Sequence, residues 1–262
     1  MIFESHAHYD DEAFDLDRDE LLGKCQEQGI EYIVNVSASL DSVKTTLALA
    51  QRYPFVYAAV GVHPDEVGGL DEESFAWLKE QCASPKTVAV GEIGLDYYWD
   101  KEDHELQKYW FQRQLALAKE LELPIIVHSR EACADTLEEI KKAYTPELRG
   151  VIHCFSYSPE TAQEYLELGY YIGIGGVVTF KNAKKLKEVV KLVPVERVLL
   201  ETDCPYLAPE PNRGKRNSSL NLPYVAAAIA ELKGMDTDEV IRITNENAKK
   251  LYFRKKQAIL QD

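Results

Sequence analysis

Short apolar runs recur along the chain, and most of the stretches between them carry hydrophobic residues at helical spacing. Runs such as Ile125–Val127 and Val198–Leu200 are apolar at every position, which is typical of strands buried on both faces of a parallel sheet. The pattern therefore predicts eight strands, at residues 1–6, 31–36, 55–62, 87–92, 124–128, 150–154, 170–175 and 197–202.

Amphipathic helices are predicted between these strands, as in the stripe at i, i+4, i+7 and i+10 that begins at Phe111. The alternation of strand and helix predicts an α/β fold, and eight such units in 262 residues fit a (β/α)₈ TIM barrel. A doubly wound open sheet is the alternative, because periodicity does not separate the two. No linker divides the chain, so we expect a single domain over residues 1–262, with a proline-rich loop at 205–223.

Composition and charge exclude some classes of protein for this chain. The chain is 45% hydrophobic and 28% charged, which is the balance of a folded globular protein. Its 30 Lys and Arg against 44 Asp and Glu give a net charge of −14. This charge disfavours a tight, nonspecific binder of duplex DNA, because such a protein needs many Lys and Arg contacts to phosphate. No apolar run approaches the ~18 residues that span a bilayer, so we expect no membrane attachment.

The cysteines and the first residues predict a cytoplasmic protein. The five cysteines are odd in number and form no C-x-x-C pair, which is typical of a reducing compartment. Residues 1–4 do not resemble the start of a secretory signal. Nothing in the sequence indicates an obligatory protein partner.

The candidate chemistry begins with the histidines. Five of the six lie at or just past the C-terminal end of a predicted strand, namely His6, His8, His63, His128 and His153. Parallel α/β folds place their active sites at that end. His6 and His8 are two residues apart in a strand, so both point to one side, where two imidazoles can bind one metal ion. For each histidine taken alone, an ordinary surface or core residue is the alternative.

Carboxylates lie at the ends of two further predicted strands, the fourth and the eighth. Glu92 leaves an apolar strand, where it could bridge two cations or be a solvated strand end beside a turn glycine. Glu201 and Asp203 share one face of an extended chain, and a nearby cation would relieve their repulsion. A helix-capping Asp in a strand-to-helix turn is the alternative for Asp203.

Together, imidazoles and carboxylates on strands one, four, five, six and eight suit Zn, Mn, Fe, Co or Ni better than Ca. Two ions ~3.5–4 Å apart would hold a bridging water and lower its pKa. The sequence contains no phosphate-binding G-x-x-x-x-G-K-[ST], no G-x-S-x-G and no H-E-x-x-H. The combined set of ligands therefore predicts a metal-dependent hydrolase more specifically than any one member does.

Six segments, in order along the chain, carry a resemblance to a known family. They are His6–Asp10, Gly61–Pro64, Gly91–Tyr98, Val127–Arg130, His153–Ser156 and Glu201–Leu207. Arg213–Asn217 and Asn245–Ala248 match as well. From near residue 3 to near residue 253, the chain resembles the TatD family of metal-dependent hydrolases.

The resemblance implies a TIM barrel of the amidohydrolase type with two divalent ions, from among Mg, Mn, Zn, Ni, Co and Fe. It assigns His6, His8 and Asp203 to one ion and His128 and His153 to the other, with Glu92 bridging both. We also expect three further carboxyl groups to support these ligands from behind, namely Glu4, Asp96 and Glu201. TatD-like proteins are described as DNases, often with 3′-to-5′ exonuclease action on single strands.

The chain departs from the family pattern in two places. Glu4 occupies a position that is usually Asp, and we expect little effect on the metal ligands. After Arg213–Asn217 the family usually continues Glu-Pro, whereas this chain continues with Ser218–Asn221. That loop could contact substrate, so the second departure concerns substrate preference.

The leading hypothesis is a deoxyribonuclease that acts on single-stranded DNA or on 3′ ends. A metal-bridging hydroxide would attack phosphorus, with Asp203 accepting its proton and Glu92 as the second catalytic carboxylate. Three residues could bind phosphate or a terminal hydroxyl, namely His63, Arg130 and Arg216. For these, a turn residue and two surface arginines are equally open. The aromatic run 97–99 could stack on a base, and packing onto the barrel rim is the alternative.

Two other hypotheses about function are compatible with the same sequence. The same metal site could cleave an ester or amide, such as an aminoacyl-tRNA ester or a small amide. A metal-binding or scaffold protein without enzymatic activity is the third possibility, although a complete ligand set in a cleft argues against it.

Overall fold

The computed structural model describes residues 1–99 and 101–254. Within these ranges eight parallel strands form one sheet in the order of the chain. They are β1 Ile2–Ala7, β2 Ile30–Val36, β3 Val56–Ala59, β4 Thr87–Asp96, β5 Ile125–Arg130, β6 Gly150–Ile152, β7 Tyr171–Ile174 and β8 Val198–Leu200. A parallel bridge from Ala7 to Cys204 brings β1 beside the segment after β8, so the barrel is nearly closed. This confirms the predicted (β/α)₈ barrel over the doubly wound open sheet.

The described residues also form nine α-helices that connect and surround the strands. They are α1 Arg18–Glu27, α2 Leu40–Arg52, α3 Glu72–Cys82, α4 His104–Glu120, α5 Cys133–Ala143, α6 Pro159–Glu167, α7 Lys184–Leu192, α8 Leu222–Lys233 and α9 Thr237–Tyr252. The predicted stripe from Phe111 lies on the buried face of α4, which packs against β4. None of the described helices is both long enough and apolar enough to cross a bilayer.

The N-terminal end of the barrel is filled by apolar side chains. Phe3, Ile126, Val151 and Leu199 belong to one buried cluster inside the strands. The end of α9 and the residue that follows it, Phe253, pack onto that cluster. Because this end is closed, the space for a site is at the opposite end, where the C-terminal ends of the strands and their loops meet.

The strands differ from their predicted bounds in a way that shapes the site. β4 continues to Asp96 rather than ending at Glu92, because β5 continues beside it and pairs His128 with Gly94. A Cβ at Gly94 would lie 1.9 Å from the carbonyl oxygen of His128, so only glycine allows this close approach. β6 and β8 end earlier than predicted, at Ile152 and Leu200. Shortly beyond them, Cys154 and Asp203 have φ values of 46° and 56°, outside the range of an extended strand.

Candidate metal centre

A cleft of about 840 Å³ opens at the C-terminal end of the barrel. The predicted histidines and carboxylates meet at its floor, and its lining includes His8, His63, Glu92, His128, His153 and Asp203. His6 lies directly beneath and is fully buried. Residues from the first to the eighth strand, nearly 200 positions apart in sequence, are therefore brought together at one point.

Four donor atoms form the first cluster. His6 Nε2 lies 3.1 Å from His8 Nε2 and 3.5 Å from both Glu92 Oε2 and Asp203 Oδ1. His8 Nε2 lies 3.7 Å from Glu92 Oε2 and 3.4 Å from Asp203 Oδ1. A tetrahedron of ligands about 2.0–2.1 Å from one ion has edges of about 3.4 Å, so these four atoms fit a single cation.

The surroundings of the two imidazoles in this cluster shift their pKa values in opposite directions. His8 Nδ1 lies 2.8 Å from the carbonyl oxygen of Val36, which can only accept, so Nδ1 carries a proton. Although burial lowers it, the adjacent carboxylates of Asp203 and Glu92 raise the pKa of His8 to about 9, so binding of a cation at Nε2 would release a proton. Burial, together with the nearby His153, lowers the pKa of His6 to about 4. A neutral imidazole is the form that ligates metal ions.

The second cluster lies around the other oxygen of Glu92. Glu92 Oε1 is 2.8 Å from His128 Nδ1 and 2.8 Å from His153 Nε2. Although burial alone would raise it, the adjacent imidazoles of His153 and His6 hold the pKa of Glu92 well below its ordinary value. Glu92 is thus an ionised carboxylate that offers one oxygen to each cluster, the arrangement expected of a bridging ligand.

Asp96 contacts His128 on the side away from Glu92. Its Oδ2 lies 2.9 Å from His128 Nε2, while its Oδ1 accepts hydrogen bonds from the backbone N–H groups of Tyr98 and Trp99. Burial raises the pKa of Asp96, but these hydrogen bonds outweigh it and lower that pKa to about 2. An ionised Asp96 accepts the Nε2 proton of His128, as carboxylates behind ligating histidines do. Although burial lowers it, Asp96 and Glu92 raise the pKa of His128 to about 9, so binding of a cation at Nδ1 would release a proton.

Glu4 links the metal ligands to a distant loop. Its Oε1 accepts the N–H groups of Thr202 at 2.9 Å and His6 at 3.3 Å, and its Oε2 accepts the hydroxyls of Thr202 and Ser219 at 2.7 Å and 2.9 Å. Burial raises the pKa of Glu4 to about 8. The two departures from the family pattern, at Glu4 and in Ser218–Asn221, are therefore in direct contact.

Glu201 and Asp203 both lie beside His6, but each groups with a different second histidine. The backbone leaves the extended conformation at Asp203, where φ is positive, and Asp203 groups with His6 and His8 whereas Glu201 groups with His6 and His153. Glu201 Oε1 accepts the N–H of Cys154 at 2.5 Å and lies 3.8 Å from His153 Nδ1. Burial raises the pKa of Glu201 to about 7.

His63 lies at the edge of the second cluster as a hydrogen-bond donor. Its Nδ1 accepts the backbone N–H of Asp65 at 3.2 Å, so the proton is on Nε2, which lies 3.9 Å from Glu92 Oε1. Burial and the neighbouring His128 lower the pKa of His63 to about 3, so the ring stays neutral. This tautomer favours contact with an oxygen of a bound substrate over metal ligation.

The structure places the two predicted arginines differently. Arg130 lines the cleft, and its guanidinium carbon lies 3.8 Å from the centre of the Tyr98 ring and 5.4 Å from that of Trp99. Arg216 is not among the residues that line the cleft, because it is paired with Asp17 at 2.6 Å.

The three aromatic residues that follow β4 also differ in their surroundings. Tyr97 packs on His104 with ring centroids 3.6 Å apart, while Tyr98 and Trp99 are exposed at the rim.

The loops around the cleft carry opposite charges, which the sequence reasoning missed. Acidic side chains from the segments that follow β1, β2 and β3 line one side, and we call them the acidic rim: Asp10, Asp11, Asp41, Asp65 and Glu66. A smaller side pocket of about 230 Å³ lies at the other side, beside Lys184 and Lys185. The available signal was the run 181–191, which contains five lysines in an otherwise acidic chain.

Comparison with known proteins agrees with this geometry. The family described as "TatD related DNase" matches residues 3–253. "Uncharacterized metal-dependent hydrolase YabD" of Bacillus subtilis is 46% identical over 252 residues, which are 96% of this chain and 99% of that protein. The "3'-5' ssDNA/RNA exonuclease TatD" of Erwinia tasmaniensis is 35% identical over 246 residues, covering 91% of this chain and 95% of that protein. The crystal structure of YJJV, a TatD homologue from Escherichia coli, has a TM-score of 0.90 at 32% identity and covers 96% and 97% of the two chains.

The barrel, with its histidine and carboxylate clusters at the C-terminal end of the strands, is that of a metal-dependent hydrolase. Within that class the chain belongs to the TatD family.

Proposed function

We propose that the protein is an exonuclease that hydrolyses phosphodiester bonds at the 3′ end of single-stranded DNA. The observation that carries the proposal is the position of Glu92, whose two oxygens belong to separate imidazole clusters in one open cleft. Two divalent ions held there would supply a water of lowered pKa and stabilise charge on phosphate oxygens. The name of the Erwinia relative supports the choice of substrate.

The chain would divide the ligands between two sites. His6, His8 and Asp203 would hold one ion, and His128 and His153 would hold the other. Glu92 would contribute one oxygen to each. Asp96 would keep Nε2 of His128 protonated, and Glu201, close to Nδ1 of His153, would restrain that ring from the interior.

Asp203 is our choice for the residue that takes up a proton. Its Oδ1 lies between His6 and His8, which leaves Oδ2 to orient a water molecule and accept its proton. Asp203 lines the cleft, so that oxygen can reach a substrate held there. General-base catalysis of this kind contributes typically 10²–10⁴-fold to a rate.

Two neighbouring residues would bind the phosphate. His63 would donate its Nε2 proton to a non-bridging oxygen, because Asp65 fixes the opposite nitrogen as an acceptor. Arg130 would donate from the rim, where the rings of Tyr98 and Trp99 hold its guanidinium in place. Arg216 is paired with Asp17, and substrate contact by Arg216 would require that ion pair to open.

The test follows a 5′-labelled single-stranded oligonucleotide in a gel, with Mg²⁺, Mn²⁺ or Zn²⁺ added to purified protein. We expect a ladder that shortens from the 3′ end and disappears both with EDTA and in Asp203→Asn. An intact oligonucleotide with every metal would overturn the nuclease proposal. A ladder that persists in EDTA would overturn the role of the metal.

The acidic rim favours a second candidate, hydrolysis of an aminoacyl ester. Its carboxylates would attract the ammonium group of such a substrate, whereas they repel a phosphate backbone. Turnover of an amino acid p-nitrophenyl ester, compared with that of bis(p-nitrophenyl) phosphate under the same conditions, separates the two candidates.

A further inference from the structure

The side pocket opens directly onto the metal centre. It shares part of its wall with the main cleft, including Asp203 and Val177. Much of the remaining wall is apolar and comes from Phe155, Ala183 and Leu186. At about 230 Å³ it is smaller than the ~300–1,000 Å³ of pockets for drug-sized ligands, so it suits a single planar ring system.

Lysines lie along one side of this pocket, in a chain with a net charge of −14. Lys184 and Lys185 line the pocket, and Lys181 precedes them by one turn of chain. Arg213 lies over the ring of Phe180, the residue before Lys181, at 4.3 Å. We call these four exposed residues the basic rim: Lys181, Lys184, Lys185 and Arg213.

The lysines of the basic rim are free of ion pairs with other described residues. Many surface lysines elsewhere are paired, as Lys79 is with Glu120 and Lys141 with Glu164, each at 2.6 Å. Arg213 has only a distant carboxylate, Glu210, at 4.0 Å. Unpaired cations are available to a polyanion without the loss of an existing contact.

We infer that a single-stranded nucleic acid leaves the metal centre across the basic rim, with one base in the side pocket and its phosphates along the lysines. The inference rests on the proposed nuclease function and adds a direction to it. The opposite direction would carry phosphates over the acidic rim, where the carboxylates of Asp10, Asp11 and Glu66, which form no ion pair with described residues, would repel them. An apolar slot beside cations is the combination by which proteins bind single strands without base-specific contacts.

The test compares two double variants of equal charge. Lys184→Gln/Lys185→Gln removes the two pocket lysines, and Lys191→Gln/Lys250→Gln removes two exposed lysines that do not line either pocket. Each protein is assayed with Mn²⁺ on a ten-residue thymidine oligonucleotide and on bis(p-nitrophenyl) phosphate. Binding of the labelled oligonucleotide to the same variants in an Asp203→Asn background is followed between 50 and 200 mM salt.

We expect Lys184→Gln/Lys185→Gln to raise KM for the oligonucleotide roughly tenfold and to lower the salt slope of binding by about 1.4, or ~0.7 per phosphate contact. Hydrolysis of the small diester should stay within about twofold, because that substrate does not reach the basic rim. The control variant should match the wild type in both assays. Unchanged oligonucleotide KM and salt slope, in a protein that cleaves both substrates, would overturn the proposed path.

A second arm of the experiment leaves the protein unaltered and tests the pocket. Oligonucleotides with one abasic residue at successive positions from the 3′ end are compared as substrates. One position near the scissile bond should raise KM about fivefold or more, since a stacked or enclosed base is lost there. Equal KM for an abasic residue at every position would show that no base binds in the side pocket. Turnover of amino acid esters but of neither phosphodiester would instead refute the nuclease function itself.

Discussion

The two ends of the barrel are built on the same strands and have opposite chemistry. At the N-terminal end, Phe3 packs on Tyr252 and Phe253 with ring centroids 5.8 and 5.5 Å apart, and Phe253 contacts Tyr32 at 5.1 Å. At the C-terminal end, β1 places His6 three residues after Phe3, among carboxylates and other imidazoles. One end maximises apolar burial, and the other buries groups that water solvates better.

This difference implies that the N-terminal end of the barrel contributes mainly to stability and the C-terminal end mainly to activity. His6 Nδ1, His153 Nδ1 and Glu201 Oε2 are buried and have no hydrogen-bond partner among the described residues. Each such group costs free energy of folding, of the order of 1–3 kcal/mol. The aromatic end supplies compensating burial. We therefore expect mutations at the two ends to have opposite signatures, and the predictions below test that expectation in order of decreasing effect.

The largest effect should come from the metal centre. Asp203→Asn and His128→Ala should each lower kcat by about 10³-fold or more, because they remove a proton acceptor and a metal ligand. The fold should persist, since the apolar end is unchanged. Steady-state kinetics and thermal melting of the same samples measure both properties. Full kcat in Asp203→Asn would remove this residue from the mechanism.

The next largest effect should come from the opposite end. Phe253→Ala removes a ring that contacts Phe3, Tyr32 and Tyr57, and should lower the free energy of unfolding by about 3 kcal/mol. Below the melting transition, kcat/KM should remain within about twofold of the wild type. Urea denaturation gives the stability, with Tyr224→Ala as an exposed aromatic control. A large loss of kcat in the folded variant would show that the two ends are coupled.

Substitution of Asp96 tests whether a carboxylate that is hydrogen-bonded to a ligating histidine affects metal binding. Asp96→Asn should weaken binding of one metal ion about 10–100-fold, because the amide no longer accepts the Nε2 proton of His128 as strongly. Metal titration by calorimetry should show one altered and one unaltered site. Excess metal should restore much of the activity. If both sites bind metal as in the wild type, the role of Asp96 is limited to accepting hydrogen bonds from the backbone N–H groups of Tyr98 and Trp99.

The smallest effect concerns the hydrogen bond from Ser219 to Glu4, which joins the two places where the chain departs from the family pattern. A double-mutant cycle of Glu4→Gln and Ser219→Ala should give a coupling free energy of about 1 kcal/mol, the value of one hydrogen bond. Urea denaturation of the four proteins measures it. Additive effects would show that the 2.9 Å contact contributes nothing to stability.

Much of the fold could be predicted from local pattern. Each of the eight predicted strands overlaps a strand of the barrel, because a strand buried on both faces needs a continuous apolar run. The histidines after those runs converge because parallel strands in a barrel direct their C-terminal ends to one side. The grouping of His6, His8 and Asp203 follows from that topology, with the family resemblance supplying their assignment to one ion.

Other features depend on partners that are distant in sequence. β4 extends to Asp96 only because β5 lies beside it, and Glu201 and Asp203 group with different histidines where the backbone takes a positive φ at Asp203. Arg216 is diverted by Asp17, which lies in another loop. The sequence by itself determined the strands, the ligands and the end of the barrel they occupy, since these follow from burial and alternation. Only the tertiary structure decided the pairing of charges and the two faces of the rim, because such contacts depend on distances in space that no local pattern encodes.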